Sequence, residues 1–373
     1  MNFYRILILI FSVLGLANGG LIASLFRLKR FYLYALGGAA IAFCAVEYYI
    51  WYALAYDGYG DAGRLLAYIV CGILVMDLMI LVPMILLSLA GCMKPVRKYA
   101  QALGTFVLLG SLFIGVYGSV DGTLRETTEH HDIYVDNLPK GFEGFTFAQI
   151  TDTHIGPYYR TADLAEDLDH AKAEGAEAIM LTGDLIDDLQ VMPETEKLLV
   201  GRSHLFPDGI LYVRGNHEFH KDPEYIEQEL RKTPVRILNN SHVEIMKNGA
   251  GLYVAGVDYP EMKGEGRDAL IKEMVQEAFA GIPENAPILF LAHHPDFINE
   301  GFVRHAFLTL TGHTHGGQTG LDGKPLMTPF TYMRGMYSDG TNYGYVSRGN
   351  GGWFPSRFGC SRELAIFTLH RKA

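Results

Sequence analysis

Side chains that bind metal ions recur through the last two thirds of this sequence, each set just past a short apolar run. Asp152 and His154 follow Gly144–Ile150, and Asp184 and Asp187 follow Ala178–Leu181. Asn216 and His217 come after Ile210–Val213, and His293 and His294 after Ile288–Leu291. His313 and His315 sit between glycines in Thr309–Gln318, directly after the apolar run Ala306–Leu310. Any one of these is ordinary: Asp or Asn after a strand is usually a turn or cap residue. Five strand ends delivering such residues in succession point to one site. Imidazole, carboxylate and carboxamide without thiolate suit Mn, Fe or Zn in expanded coordination. Asp152, His154, Asp184, Asn216, one of His293 and His294, His313 and His315 are too many donors for one ion. They suit two ions about 3.5–4 Å apart with a carboxylate bridging them. Such a pair acidifies a shared water and neutralises charge on an anionic ester under in-line attack.

These residues must be held by strands. Apolar strands alternate with helical stretches at Thr161–Glu174 and Asp268–Phe279, a pattern of α/β sheets whose ligands gather beyond the strand ends. Leu252–Val257 reads as a further strand. After Gly320 the text turns Gly-, Tyr- and Met-rich, and strands at Gly344–Ser347 and Glu363–Leu369 suggest a second sheet. The expected fold is a sandwich of two sheets between helices, over residues 140–373.

The first 120 residues are of another kind. Ile6–Phe26, Phe31–Tyr56, Leu65–Met93 and Tyr99–Val120 are long apolar segments whose only charges are Glu47 and Asp77. About 20 such residues span a bilayer as helix, so a four-segment transmembrane anchor is expected over 1–120. A linker and first strand follow over 121–139. Arg27, Lys29 and Arg30, and then Lys94, Arg97 and Lys98, mark two loops as cytoplasmic. Everything after residue 120 then faces outward, with Tyr48, Tyr49, Trp51, Tyr52 and Tyr56 as an aromatic belt. Glu47 and Asp77 are either functional intramembrane carboxylates or protonated groups bonded to a neighbouring helix. Three of the four cysteines lie in apolar segments, so no disulfide framework is expected. Residues 130–373 hold 22 basic and 34 acidic side chains, a balance that repels polyphosphate and argues against a nucleic-acid partner.

The order Asp-x-His, Gly-Asp-x-x-Asp, Gly-Asn-His-Glu, His, Gly-His-x-His resembles the calcineurin-like metallophosphoesterase superfamily over about residues 140–370. Gly-Gly-Gln after the last His, with Val346-Ser-Arg-Gly and Arg357-Phe-Gly, is similar to its membrane-attached bacterial branch typified by YkuE and YaeI. The resemblance implies an αββα sandwich. It implies that Asp152, His154 and His315 hold one metal, that Asn216, His293 and His313 hold the other, and that Asp184 bridges. His293 is preferred to His294 because the superfamily has a single His there. His217 would stabilise the transition state or protonate the leaving oxygen, with Asp187 orienting a ligand from behind. Metal-bound hydroxide would be the nucleophile, with no covalent enzyme intermediate.

Arg348 and Arg357 are candidates to clamp the phosphate, with surface ion pairing as the other reading. Tyr158, Tyr159, Phe219, Trp353 and Phe354 could form an apolar lip or simply pack. The expected activity is hydrolysis of a phosphomonoester or phosphodiester, small or lipid-borne, on the outer face of a bacterial plasma membrane. Alternatives are a non-catalytic membrane scaffold or sensor using the fold for binding, a membrane half with work of its own, and a sugar-nucleotide lipid pyrophosphatase.

Overall fold

The computed structural model describes residues 3–29, 37, 61–321, 323–352 and 354–372. They form two compact units. One comprises residues up to Leu124 together with Phe354–Phe358, and the other the rest.

In the helical unit, α1 spans Phe3–Phe26, α2 Asp61–Gly91 and α3 Arg97–Leu124. Two stretches, Gly63–Gly91 and Arg97–Leu124, are long and apolar enough to cross a membrane, with mean hydropathies of 2.7 and 1.8. Ile10–Phe26 is a shorter apolar helix. The expected segment Phe31–Tyr56, with Glu47 and the tyrosine-rich belt, lies outside the described residues. Helices α2 and α3 approach at Gly72 and Gly115, where an added methyl on either would strike the other's backbone. Small residues at helix crossings permit this closeness. Asp77 is engaged within the unit: Asn18 Nδ2 donates to its Oδ1 at 3.0 Å and its carbonyl at 2.8 Å. That matches the reading of a carboxyl bonded to a neighbouring helix.

The second unit is a sandwich. Its strands are β1 (Glu126–Val135), β2 (Thr146–Ile150), β3 (Ala178–Thr182), β4 (Gly209–Val213), β5 (Arg236–Ile237), β6 (Ser241–Lys247), β7 (Ala250–Gly256), β8 (Ile288–Leu291) and β9 (Leu308–Thr311). After these come β10 (Gly320–Leu321), β11 (Lys324–Pro325), β12 (Gly335–Ser338), β13 (Tyr343–Val346) and β14 (Arg362–Arg371). One six-stranded sheet runs β1-β14-β2-β3-β4-β5, and the other β12-β13-β9-β8-β7-β6. Both are mixed. Strands β2 to β5 are parallel with β14 antiparallel beside β2, and β7, β8, β9 and β13 are parallel between antiparallel edges.

Phe147, Met180, Leu211 and Phe367 from the first sheet bury against Val254, Leu289, Leu308 and Tyr345 from the second. Helices α4 (Thr161–Ala173), α5 (Met192–Arg202) and α7 (Pro223–Leu230) cover the first sheet's outer face through Leu168, Leu199 and Ile226. A short α6 (Asn216–Lys221) precedes α7. Helices α8 (Arg267–Phe279) and α9 (Phe297–Val303) cover the second sheet through Val275 and Phe297. Covered on both sides, the central strands are apolar runs without alternation.

Three sequence expectations change. Strand β14, the run expected at Glu363–Leu369, joins the first sheet, between β1 and β2, rather than the second. The polar linker expected after residue 120 is all but absent, since α3 runs to Leu124 and β1 starts at Glu126. β1 is held by ten residues of parallel pairing to β14 rather than by an apolar pattern. Finally, residues 354–358 fall with the helical unit, interrupting the expected domain 140–373.

Candidate metal centre

Parallel strands aim their C-terminal ends one way, so the loops after β2, β3, β4, β8 and β9 converge. The backbone there is strained. Ten described non-glycine residues have positive φ, and five are Asp152 (52°), His154 (48°), Asp184 (51°), His313 (69°) and His315 (49°). Residues in that sparsely populated region cost about 1–3 kcal/mol each, and they cluster where surroundings force a side chain into place. Glycines leave room: a methyl on Gly312 would run into Asp152 Oδ2, and one on Gly215 into Asp184 Oδ1.

The side chains meet in three overlapping groups: Asp152, His154 and His315; His154, Asp184 and His217; and Asp184, His293 and His313. His154 Nε2 lies 3.2 Å from His315 Nε2, which is 3.6 Å from Asp152 Oδ1. His313 Nδ1 lies 3.2 Å from His293 Nε2 and 2.8 Å from Asn216 Oδ1. One oxygen joins the halves: Asp184 Oδ2 is 3.2 Å from His293 Nε2 and 3.6 Å from His154 Nε2. Two imidazole nitrogens sharing an ion at the ~2.0–2.1 Å of a zinc–imidazole bond stand about 3.0–3.4 Å apart. Both histidine pairs meet that spacing, so the donors fit two ions bridged by Asp184.

Residues 145–317 match the calcineurin-like phosphoesterase family. This chain carries a calcineurin-like metallophosphoesterase domain. It is 28% identical over 285 residues to an uncharacterized metallophosphoesterase of Bacillus subtilis strain 168, YkuE, covering 73% of this chain and 96% of YkuE. An uncharacterized metallophosphoesterase of Helicobacter pylori strain J99 is 29% identical over 287 residues, 74% of this chain and 72% of that protein. A Danio rerio protein described as a transmembrane protein with metallophosphoesterase domain is 26% identical over 237 residues, 59% of this chain and 52% of its own.

Electrostatics bind the cluster together. Burial works against charge on His154, but the carboxylates of Asp187, Asp184 and Asp152 push its pKa up to about 9. His293 is likewise opposed by burial, yet Asp184, Asp152 and the Thr182 carbonyl raise it to about 10. Burial would raise Asp184, but His293, His154 and His217 hold it well below the usual carboxylate range. Burial, with His293 and His294 adjacent, drives His313 down to about 2. Protons on His154 and His293 thus stand where cations would compensate the same carboxylates.

Behind the donors stand groups that fix them. Asp187 Oδ1 is 2.6 Å from His217 Nδ1 and 3.3 Å from His154 Nδ1. The Thr182 carbonyl lies 2.8 Å from His293 Nδ1, which leaves Nε2 for the cluster. His294 stands outside the donor groups: its Nδ1 accepts from the Asp296 N–H at 3.2 Å, and it belongs to none of the three.

Two supports escaped sequence reasoning. Fully buried Glu218 accepts from the backbone N–H groups of Gly215 (2.7 Å), Leu185 (2.7 Å) and Asp184 (3.1 Å), tying the β3 and β4 loops. It was visible only as the last letter of Gly-Asn-His-Glu, where a helix-start Glu reaches back to the turn. Buried Asn350 accepts from the Thr151 N–H at 3.1 Å and donates to Asp167 Oδ2 at 2.9 Å, and no motif marked it.

The expected phosphate clamps, Arg348 and Arg357, each have partners within their own unit. Arg348 is committed to Glu129 and Glu363, each at 2.7 Å, and to Thr127. Arg357 falls with the helical unit, where its N–H donates to the Gly118 carbonyl at 2.9 Å. Of the expected lip, Tyr158 and Tyr159 are buried and Tyr159 donates to Asp167 at 2.6 Å. Phe354 groups with the helices, and Trp353 lies outside the described residues. Phe219 does line a cleft of about 550 Å³ beside the donors, together with Asn216, Tyr259, His294, His313 and Phe330.

Proposed function

We propose that the chain is a membrane-anchored phosphoesterase that hydrolyses a phosphomonoester or phosphodiester at a two-metal centre. The observation that carries this is the single oxygen, Asp184 Oδ2, standing between two histidine sets. Asp152, His154 and His315 would hold one Mn, Fe or Zn ion, and Asn216, His293 and His313 the other, with Asp184 shared. Metals bound there would supply an activated water and a counter-charge for the ester oxygens.

The chain's own residues do the rest. His217 rests its Nδ1 on Asp187, leaving Nε2 to hand a proton to the leaving oxygen while the carboxylate balances the imidazolium. His294, its Nδ1 occupied by a backbone N–H, lines the cleft, where it would act as a positioning group. Tyr259 and Phe330 lie with ring centroids 5.9 and 5.3 Å from that of His313 and wall the cleft against water.

Two helices of membrane-crossing length support the anchor, and so does likeness to a zebrafish protein whose name describes it as transmembrane. Under the positive-inside rule, the loop charges put the catalytic domain on the outer face of a bacterial plasma membrane, above a multi-pass anchor of four segments. The full chain, reconstituted and metal-loaded, should cleave bis(p-nitrophenyl) phosphate or p-nitrophenyl phosphate. Asp184→Asn should lower turnover by more than about 100-fold, beyond what outer-shell partners cost. Undiminished turnover in that variant would overturn the reading.

A further inference from the structure

The segment that follows the last histidine has an unusual surface. The side chains of Leu321, Leu326 and Met327 are 68%, 67% and 68% exposed. Single exposed apolar residues need no explanation, but these three fall within 321–327, in and just after the short hairpin β10–β11. The segment is closed at its base, where Thr314 Oγ1 donates to the Met333 carbonyl at 2.6 Å. It is a compact loop of the kind that carries function.

The charge along this stretch is also out of character. The domain is strongly acidic, yet between His305 and Ser338 the only Asp, Glu, Lys or Arg residues are Asp322, Lys324 and Arg334. Here the surface potential that would repel an anionic bilayer is relieved. Lys324 at the turn and Arg334 at the base flank the apolar tip, a pattern suited to an interface of headgroups over acyl chains. The loop is also continuous with the site. It leaves the turn His315–Gly317, and its far limb brings Phe330 against His294 and His313, at ring-centroid distances of 5.4 and 5.3 Å.

We propose that residues 318–333 form a membrane-dipping loop that seats the mouth of the cleft on the bilayer. The proposal rests on the membrane-anchored reading above. The occupant is the lipid surface of the chain's own membrane, since Arg125 alone separates α3 from β1 and the chain therefore tethers the domain by a single residue to the proposed anchor. Immersion of Leu321, Leu326 and Met327 would present phosphoesters at headgroup depth to a cleft walled by the same loop.

Tryptophan depth-reporting in proteoliposomes tests this. The chain's two tryptophans are replaced (Trp51→Phe, Trp353→Phe), and single reporters are placed at Leu326→Trp, Met327→Trp, Val200→Trp and Phe106→Trp. Vesicles of phosphatidylcholine and phosphatidylglycerol are prepared with and without brominated acyl chains. Val200, exposed on α5 over the outer face of the other sheet, is the control within the domain; Phe106 of α3 reports the anchor. The expected result is blue-shifted emission and loss of intensity in brominated vesicles for Leu326→Trp and Met327→Trp, with Val200→Trp unaffected. No quenching at both loop positions while Phe106→Trp is quenched would overturn the loop and leave the anchor standing. Equal quenching at Val200→Trp would overturn it too. An unquenched Phe106→Trp would remove the membrane reading, and the loop proposal with it.

Discussion

The carboxylate of Asp187 lies 2.6 Å from Nδ1 of His217, and the same oxygen lies 3.3 Å from Nδ1 of His154. One side chain therefore orients both a metal-ligand candidate and the candidate proton donor. Asp187→Ala should lower turnover by about 10–100-fold, the usual cost of removing an outer-shell partner. Part should appear as weaker metal binding through His154, and part should survive metal saturation because His217 is also freed. Metal titration of turnover separates the two.

Two adjacent histidines should behave oppositely. His293 stands 3.2 Å from both Asp184 Oδ2 and His313 Nδ1, whereas His294 points into the cleft. His293→Ala should reduce bound metal to about one ion per chain. His294→Ala should keep both ions and raise KM for an aryl phosphoester. Elemental analysis beside steady-state kinetics checks the pair.

Much of this site was readable in advance, for a physical reason. Candidate metal donors are polar groups at the ends of buried strands, and a polar letter after an apolar run is conspicuous: Asp152, Asp184, Asn216 and His313, which the fold brings together, all showed this way. The residues that hold the donors were not readable. Asn350 acts on Thr151 from 199 positions away, and nothing local marks such a partner. Arg348 shows the converse. An Arg looks available until distant carboxylates, here those of Glu129 and Glu363, are seen beside it. β14 was assigned to the wrong sheet because an apolar run fits the interior of either, and the first strand was placed only broadly, within 121–139, because an edge strand can be polar.

Glu218 should matter to stability as well as to the site. Replacing it by Ala leaves the N–H groups of Gly215, Leu185 and Asp184 buried without their acceptor, at about 1–3 kcal/mol each. At least about 3 kcal/mol should be lost, which for a domain of this size lowers Tm by roughly 6–12 °C. Thermal unfolding of the reconstituted variant measures it.

His131 gives a pH signature away from the metals. Its ring lies between those of Tyr345 and Phe367, at 4.7 and 5.2 Å, and burial lowers its pKa despite the opposing pull of Glu129. Below the unfolded value near 6.5 the unfolded chain binds the proton more readily, so this residue removes stability as pH falls. His131→Phe should therefore gain stability relative to the parent as pH drops from about 7 to 5, with the difference vanishing above about 7. Denaturant unfolding of both proteins across that range gives the comparison.

The most direct test is the metal content of the full chain and of Asp184→Asn, read by elemental analysis and by anomalous scattering from crystals. Two ions per parent chain, one beside Asp152, His154 and His315 and the other beside Asn216, His293 and His313, with loss of at least one in the variant, is the predicted result. A folded parent chain that takes up no ion at these residues under saturating Mn, Fe or Zn would contradict it.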